Sequence, residues 1–148
     1  MSRDHFIGTL HEVTASVRVV ERTLLGALSV TEMLLLLHLQ QEKDGISQAE
    51  LLKNESMPLA PGLSALLARL ERRGLVARER NPQSRRSMLV ALTVSGAKEL
   101  EIAMRDVENK FLPRLRELAP KKQKALQDHL RVFRSSLFTT VSSRAASS

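Results

Sequence analysis

The chain of 148 residues contains no cysteine, no tryptophan and no tyrosine, and aromatic residues make up only 3% of it. Without cysteine, it cannot form disulfides, a thiolate metal site or a cysteine redox switch. With so few aromatic rings, we do not expect the base-stacking platforms that are typical of proteins binding single-stranded nucleic acid. The hydrophobic core must therefore consist mainly of leucine, valine and alanine.

Signals for export and for membrane insertion are also missing. Residues 1–13 do not show a basic segment followed by an apolar one, and no apolar run approaches the length that spans a bilayer. Together with the lack of cysteine, this predicts a cytoplasmic protein. Hydrophobic residues reach 43% and charged residues 26%, which is typical of a globular chain with a genuine core.

The residue patterns of enzymes and metal sites are lacking as well. There is no glycine-rich phosphate loop, and no motif joins a histidine to a carboxylate or a nucleophile. His5, His11, Glu12 and His38 do not have the spacing of metal ligands, which favours ordinary surface or core roles for them. We therefore expect no catalytic residues, no cofactor and no metal, and we expect that the protein is not an enzyme.

Positive charge is in excess and is unevenly distributed. The net charge is +7, and the segment 69–86 alone holds seven arginines against two glutamates. Such clustering indicates phosphate binding, with a solvated basic face as the alternative.

The two ends of the chain have helical periodicity. Apolar residues in the segment 6–24 recur every three or four positions, which predicts a helix whose narrow apolar seam packs against another helix. Thr93 can cap a long helix that Pro113 bends or ends, and Pro120 can open a last one. The small polar segment 142–148 is predicted to be a flexible tail.

Two capping boxes, each a serine followed three residues later by glutamate, start inner helices. The box at 29–32 predicts a helix over about 30–41. The box at 47–50 predicts a short helix that ends near Asn54, and Ile46 before it can form a short strand segment.

The centre of the chain predicts a helix followed by a hairpin. A helix of about 60–73 begins near Pro61 and is stopped by Gly74. Alternating residues predict strands over 75–80 and 87–92, joined by a turn over 81–86. The buried face of the helix is predicted to consist of Leu63, Leu66, Leu67 and Leu70.

This order of elements predicts a mainly α fold with a small β part, a winged helix-turn-helix. We expect an N-terminal dimerisation helix (1–28), a DNA-binding domain (29–97), C-terminal dimerisation helices (98–141) and the tail (142–148). The outer helices have apolar seams that so small a domain cannot cover, and formation of a two-fold dimer would bury them.

The segments LSVTEMLLLLHL, SQAELL and LLARLERRGLVARERNPQSRRSMLVALTVSGAKEL resemble the MarR family of bacterial transcriptional regulators, over about residues 28–100. The resemblance implies a homodimer that binds pseudo-palindromic double-stranded operator DNA. It further implies a repressor that releases DNA when a small aromatic or anionic effector enters a cleft between the dimerisation and DNA-binding parts. The alternative is a winged-helix module whose basic wing docks an acidic protein partner without binding specific DNA.

The resemblance also assigns the residues that contact DNA. The first motif helix would begin at Ser47 and Gln48, near the phosphate backbone. Arg86 would be the wing arginine that enters the minor groove, and Ser84 stands where the family usually has an aspartate that orients this arginine. The complete set of predicted DNA-binding residues is Ser47, Gln48, Pro61, Gly62, Ser64, Ala65, Arg69, Arg72, Ser84, Arg85 and Arg86.

The arginines of this set leave alternatives open. Arg69 and Arg72 could contact phosphates or a guanine edge, or they could belong to a solvated helix end with Arg72 paired to a carboxylate. Arg85 and Arg86 are adjacent on the predicted turn, so at least one of them should project outward.

By analogy with the family, an effector cleft would be lined by parts of the first two helices and of the long helix. The candidate residues are Arg18, Arg22, Met33, His38 and Met104. The methionines could equally be ordinary core residues.

Overall fold

The computed structural model describes residues 1–24, 28–54, 57–58 and 60–145, and it describes side chains as far as residue 137. A mainly α chain with a small antiparallel sheet is confirmed. The elements are, in order, α1 (Arg3–Thr23), α2 (Val30–Gln41), β1 (Ile46–Ser47), α3 (Gln48–Leu51), α4 (Ala60–Arg72), β2 (Val76–Asn81), β3 (Ser84–Leu92), α5 (Val94–Lys110), α6 (Leu112–Leu115) and α7 (Pro120–Ala145).

The capping hydroxyls start the inner helices as the sequence predicts. The Ser29 hydroxyl accepts from the Glu32 amide over 3.1 Å, and the Glu32 carboxylate accepts from the Ser29 amide over 2.8 Å. The Ser47 hydroxyl caps α3 in the same way, at 3.2 Å. However, α3 ends at Leu51 and not near Asn54, because the amides of Lys53 and Asn54 bond three residues back and tighten the chain into a turn.

The sheet has three antiparallel strands in the order β1–β3–β2. Ile46 pairs with Val90, and Val76 pairs with Leu92, so the short β1 segment completes the sheet on the far side of β3. This confirms the short strand predicted at Ile46. The long hairpin of β2 and β3 is the wing.

The wing hairpin is longer than the sequence predicts. The predicted turn over 81–86 is wrong, since only Pro82 and Gln83 separate the two strands. The Asn81 carboxamide explains the difference, because its oxygen accepts from the Gln83 amide over 2.9 Å and so closes a tight turn. Its Nδ2 donates to the Ser87 hydroxyl over 3.0 Å and holds the opposite strand.

The core lies between α2, α4, the sheet and α5. Leu35 and Leu36 of α2 have no exposed surface, and neither do Leu63, Leu67 and Leu70 of α4. The leucine face predicted for α4 is therefore confirmed, with Leu66 also buried. Burial of each such side chain stabilises the fold by about 1.5–3 kcal/mol, so α4 rests on a rigid support.

The outer helices are covered much less completely. No residue of α1 between Arg3 and Thr23 is fully buried. The rings of Phe6 in α1 and Phe133 in α7 lie 6.0 Å apart between centroids, so the two ends of the chain meet. In α7, large apolar side chains stay exposed, among them Leu126 at 54% and Val132 at 62%.

The C-terminal helices differ in detail from the prediction. The long helix α5 ends at Lys110, and Pro113 lies in the short helix α6 that follows, so of the two predicted alternatives the helix ends before this proline and is not bent by it. Helix α7 continues to Ala145, into the segment predicted as a tail, whereas residues 146–148 lie outside the described part of the chain. Residues 25–27 of the predicted N-terminal dimerisation helix (1–28) also lie outside it.

None of the helices in the described ranges combines the length and the apolar character needed to cross a membrane.

Candidate nucleic-acid interface

Helices α3 and α4 are joined by a hydrogen bond between two of the predicted site residues. Gln48 Nε2 donates to Ser64 Oγ over 2.6 Å, although the residues are 16 positions apart in the chain. Because the hydroxyl oxygen is used as acceptor, the hydroxyl proton of Ser64 is left to donate outward. The bond therefore holds a donor in place on the exposed face of α4.

The outward face of α4 carries only small side chains near its start. Pro61, Gly62, Ser64 and Ala65 are exposed, on the side away from the buried leucines. The first turn of α4 has no acidic residue, so none of the side chains in that turn neutralises the positive end of the helix dipole. This surface permits close approach of a phosphate backbone or of base edges.

Arg69 is engaged within the chain, which the sequence did not predict. Its Nε lies 3.0 Å from Glu32 Oε1, and Arg73 Nη1 lies 3.4 Å from each oxygen of the same carboxylate. The Glu32 side chain is only 5% exposed, whereas that of Arg69 is 52% exposed. Sequence reasoning assigned Glu32 to helix capping alone, and the spacing of four between the two arginines was the signal that they share a helix face.

Arg72 differs from its neighbour. It is exposed, and none of the carboxylates in the described ranges pairs with it, so the predicted alternative of an ion pair is not found. The nearby carboxylate of Glu71 lies 3.3 Å from Arg78 Nε instead, without a well-aligned hydrogen bond. Arg72 thus presents its charge to solvent at the end of α4.

The two wing arginines lie in a bulge of β3, not on the turn. Asn81 pairs with Ser84, but Arg80 pairs with Met88, so three residues of β3 lie between consecutive partners. A bulge leaves residues outside the regular ladder and redirects their side chains. Arg85 and Arg86 are both exposed there, beside the turn. The sequence predicts that at least one of them projects outward, and both are exposed, although their location in the hairpin differs from the predicted turn.

The candidate effector residues have different surroundings. Met104 lines a cavity of about 470 Å³ between α2 and α5, whereas Met33 is 6% exposed and belongs to the core. His38 is half-buried in α2, and Arg18 and Arg22 are exposed on α1. For Met33, the alternative of ordinary core packing is therefore the one found.

The cavity at Met104 is also lined by residues that the sequence analysis did not single out, including Leu37, Gln40 and Leu100. Within the ranges that the structure describes, no three histidine, aspartate or glutamate residues are grouped so that they could hold a metal ion.

Comparison with known proteins gives both a family match and curated and structural relatives. Residues 28–88 match the model of the MarR family. The transcriptional regulator HosA of Escherichia coli O111:H- is 39% identical over 77 residues, which are 50% of this chain and 56% of HosA. The matched segment thus spans little more than half the length of that curated relative.

Solved structures resemble a larger part of the chain. The transcriptional repressor CouR, bound to a 23-mer DNA duplex, matches with a TM-score of 0.69 and 29% identity over 82% of this chain and 89% of CouR. The PcaV transcriptional regulator of Streptomyces coelicolor, in complex with its natural ligand, matches with a TM-score of 0.76 over 93% of this chain and 94% of PcaV. The PcaV identity is 21%, so this second match shows a shared fold.

Proposed function

We propose that the chain is a member of the MarR family, whose model matches residues 28–88, and that it is a homodimeric transcriptional regulator that binds specific sites in double-stranded DNA. The observation that carries the proposal is the surface formed by the small exposed face of α4 and the arginine-bearing bulge of the wing. A helix of this kind fits the major groove, and a basic hairpin beside it reaches the adjacent minor groove. The family match also supports a regulator in preference to an enzyme.

The free positive charge of this surface supports phosphate binding. Of the seven arginines between 69 and 86, two pair with Glu32 and a third lies beside Glu71. The remaining four are exposed and have no carboxylate partner within the described ranges. These four are Arg72, Arg80, Arg85 and Arg86. If each contacts one phosphate in both protomers, the slope of log K against log salt would be roughly −7.

The similarity to CouR, which was solved on a DNA duplex, favours DNA over an acidic protein as the partner. Ser47, Gln48 and Ser64 would donate to the backbone or to bases around α4. Pro61, Gly62 and Ala65 would allow the helix to approach closely. Ser84 is near the bulge and would contact DNA beside Arg86.

The exposed apolar residues of α1 and α7 support the homodimer. Ile7 in α1 is 58% exposed, and in α7 Leu126 is 54% exposed and Leu130 41% exposed. The Phe6–Phe133 contact brings these helices together, so a second copy could cover both. A two-fold dimer binds a pseudo-palindromic site, with half-sites about one helical turn apart.

Repression relieved by a small aromatic or anionic molecule is part of the proposal and follows the family resemblance. The cavity between α2 and α5 supports it, because it touches a core helix of the DNA-binding part and the helix that leads to the C-terminal elements. PcaV, which shares the fold, was solved with its natural ligand. A bacterial regulator of this kind acts in the cytoplasm.

The proposal is tested by selecting bound duplexes from a random library and sequencing them. We expect a two-fold-symmetric motif with half-sites about one turn apart, and binding that weakens linearly on a log–log salt plot. A library without any enriched motif, together with the absence of salt-dependent binding to any duplex, would contradict it. That outcome would instead favour a wing that docks an acidic protein.

A further inference from the structure

The Glu32 carboxylate is almost completely buried at the N-terminus of α2 and has contacts on both oxygens. Oε2 accepts from the Ser29 amide over 2.8 Å, and Oε1 accepts from Arg69 Nε over 3.0 Å. Arg73 Nη1 lies 3.4 Å from both. One carboxylate therefore starts α2 and holds Arg69 of α4 and Arg73 just after the end of α4, which is the helix that faces DNA in the proposed function.

We infer that Glu32 determines specificity by keeping the Arg69 guanidinium away from DNA phosphates, an inference that rests on the proposed DNA-binding function. Ala65 and Arg69 are four residues apart, so they lie on the same side of α4. The Arg69 side chain is about half exposed and flanks the small outward face of that helix. Its Nε donates to Glu32, so the charge of Arg69 has a partner within the chain.

Withholding this arginine affects specificity because phosphate contacts carry no sequence information. A contact to phosphate strengthens binding to every duplex, whereas base contacts and DNA shape discriminate between sequences. An arginine freed on the outward flank of α4 would therefore strengthen binding to random DNA. The ratio of specific to non-specific affinity would then fall.

The test uses Glu32→Gln in the full-length protein. Glutamine can still accept from the Ser29 amide and so preserves the capping box, but it carries no charge to hold Arg69. We expect tighter binding to a random duplex and a steeper salt slope, by about 0.9 per protomer or about 2 per dimer. The preference for the selected operator over the random duplex should fall several-fold.

Arg69→Gln tests whether Arg69 is the arginine that steepens the salt slope in Glu32→Gln. In the wild-type background it should leave the salt slope on random duplex unchanged, because this side chain is engaged by Glu32. In the Glu32→Gln background it should return the slope to the wild-type value. Glu101→Gln is the matched control, since it releases Arg105 from an ion pair on α5 and should leave the slope unchanged.

The outcomes separate this inference from the proposed function. If the wild type binds its operator but Glu32→Gln has the wild-type salt slope, the inference is wrong and the function stands. If Glu32→Gln does not fold, Arg69→Gln in the wild-type background tests the inference alone. An unchanged salt slope supports it, whereas a slope reduced by about one per protomer shows that Arg69 already contacts phosphate and overturns it. If the wild type shows no salt-dependent binding to any duplex, both proposals fail.

Discussion

The Thr93 hydroxyl donates to the Gly74 carbonyl over 2.6 Å. Thr93 directly precedes α5 and Gly74 lies in the turn after α4, so this bond connects the two helices. Gly74 has a φ of +71°, the left-handed conformation that glycine adopts readily at the end of a helix. The same hydroxyl accepts from the Gly96 amide over 2.9 Å. One side chain therefore caps α5 and fixes its start against the end of α4.

Replacement of Thr93 by valine should destabilise the protein by about 1–2 kcal/mol, because both the cap and the bond to Gly74 are lost while the shape is kept. Urea unfolding followed by circular dichroism measures the change. Thr9→Val is the control, since the Thr9 hydroxyl only donates to the His5 carbonyl within α1, and its effect should stay below about 0.5 kcal/mol. Equal losses in the two variants would contradict the prediction.

Gly96→Ala should also be destabilising, for a steric reason. A Cβ at this position would lie 2.0 Å from the Leu75 carbonyl oxygen, so α5 would have to move away from the sheet. We expect a loss of about 1–3 kcal/mol in the free energy of unfolding.

Gly8→Ala provides the opposite case for the same substitution. Gly8 lies in the interior of α1, and a Cβ there would meet nothing within 4 Å. Alanine should therefore stabilise that helix by roughly 0.5–1 kcal/mol. A destabilised Gly8→Ala, or an unaffected Gly96→Ala, would show that the packing around these helices is not as described.

Arg86→Ala should weaken binding to duplexes and reduce the salt slope by about one per protomer if the side chain contacts a phosphate. If it reads a base edge in the minor groove, the loss should be about 1–3 kcal/mol and should relax sequence preference at one position per half-site. Fluorescence anisotropy at several salt concentrations distinguishes the two. Arg105→Ala on α5 removes the same charge and should change neither quantity; a wing variant that also changes neither would count against the proposed interface.

Leu130→Glu should shift the protein from dimer to monomer, because a charge would replace an apolar side chain on the face of α7 that a second copy is proposed to cover. Each lost leucine contact is worth about 1.5–3 kcal/mol and occurs twice in a two-fold dimer. Val94→Glu is the control, since Val94 is 76% exposed on α5 and its replacement should leave the dimer intact. Light scattering after size-exclusion chromatography gives the masses, and a dimer that survives Leu130→Glu would argue against this face.

Local signals in the sequence predicted the helices well. The serines at 29 and 47 act on amides three residues away, and the leucine face of α4 repeats within two turns, so neighbouring residues are sufficient to recognise them. The predicted bounds of the wing turn were wrong because the side chain of Asn81 closes a tighter turn than the polar composition of 81–86 indicates.

The engagement of Arg69 could not be read from the sequence for a different reason. Glu32 and Arg69 are 37 residues apart in the chain, and only the tertiary fold brings them together. The bulge that holds Arg85 and Arg86 likewise depends on the pairing of β3 with β2. The sequence identified which residues are charged, but contacts formed by the fold decide which charges remain available.

The 26 residues of α7 form a rod about 39 Å long, at 1.5 Å per residue. Successive turns of B-DNA bring the same groove to the same side every 34–36 Å or so. A dimer interface built along α7 would be about as long as that repeat. The rigidity of α7 would then determine how far apart the two copies of α4 are held in the dimer. Shortening the rod by whole turns would then alter which half-site separation the protein accepts.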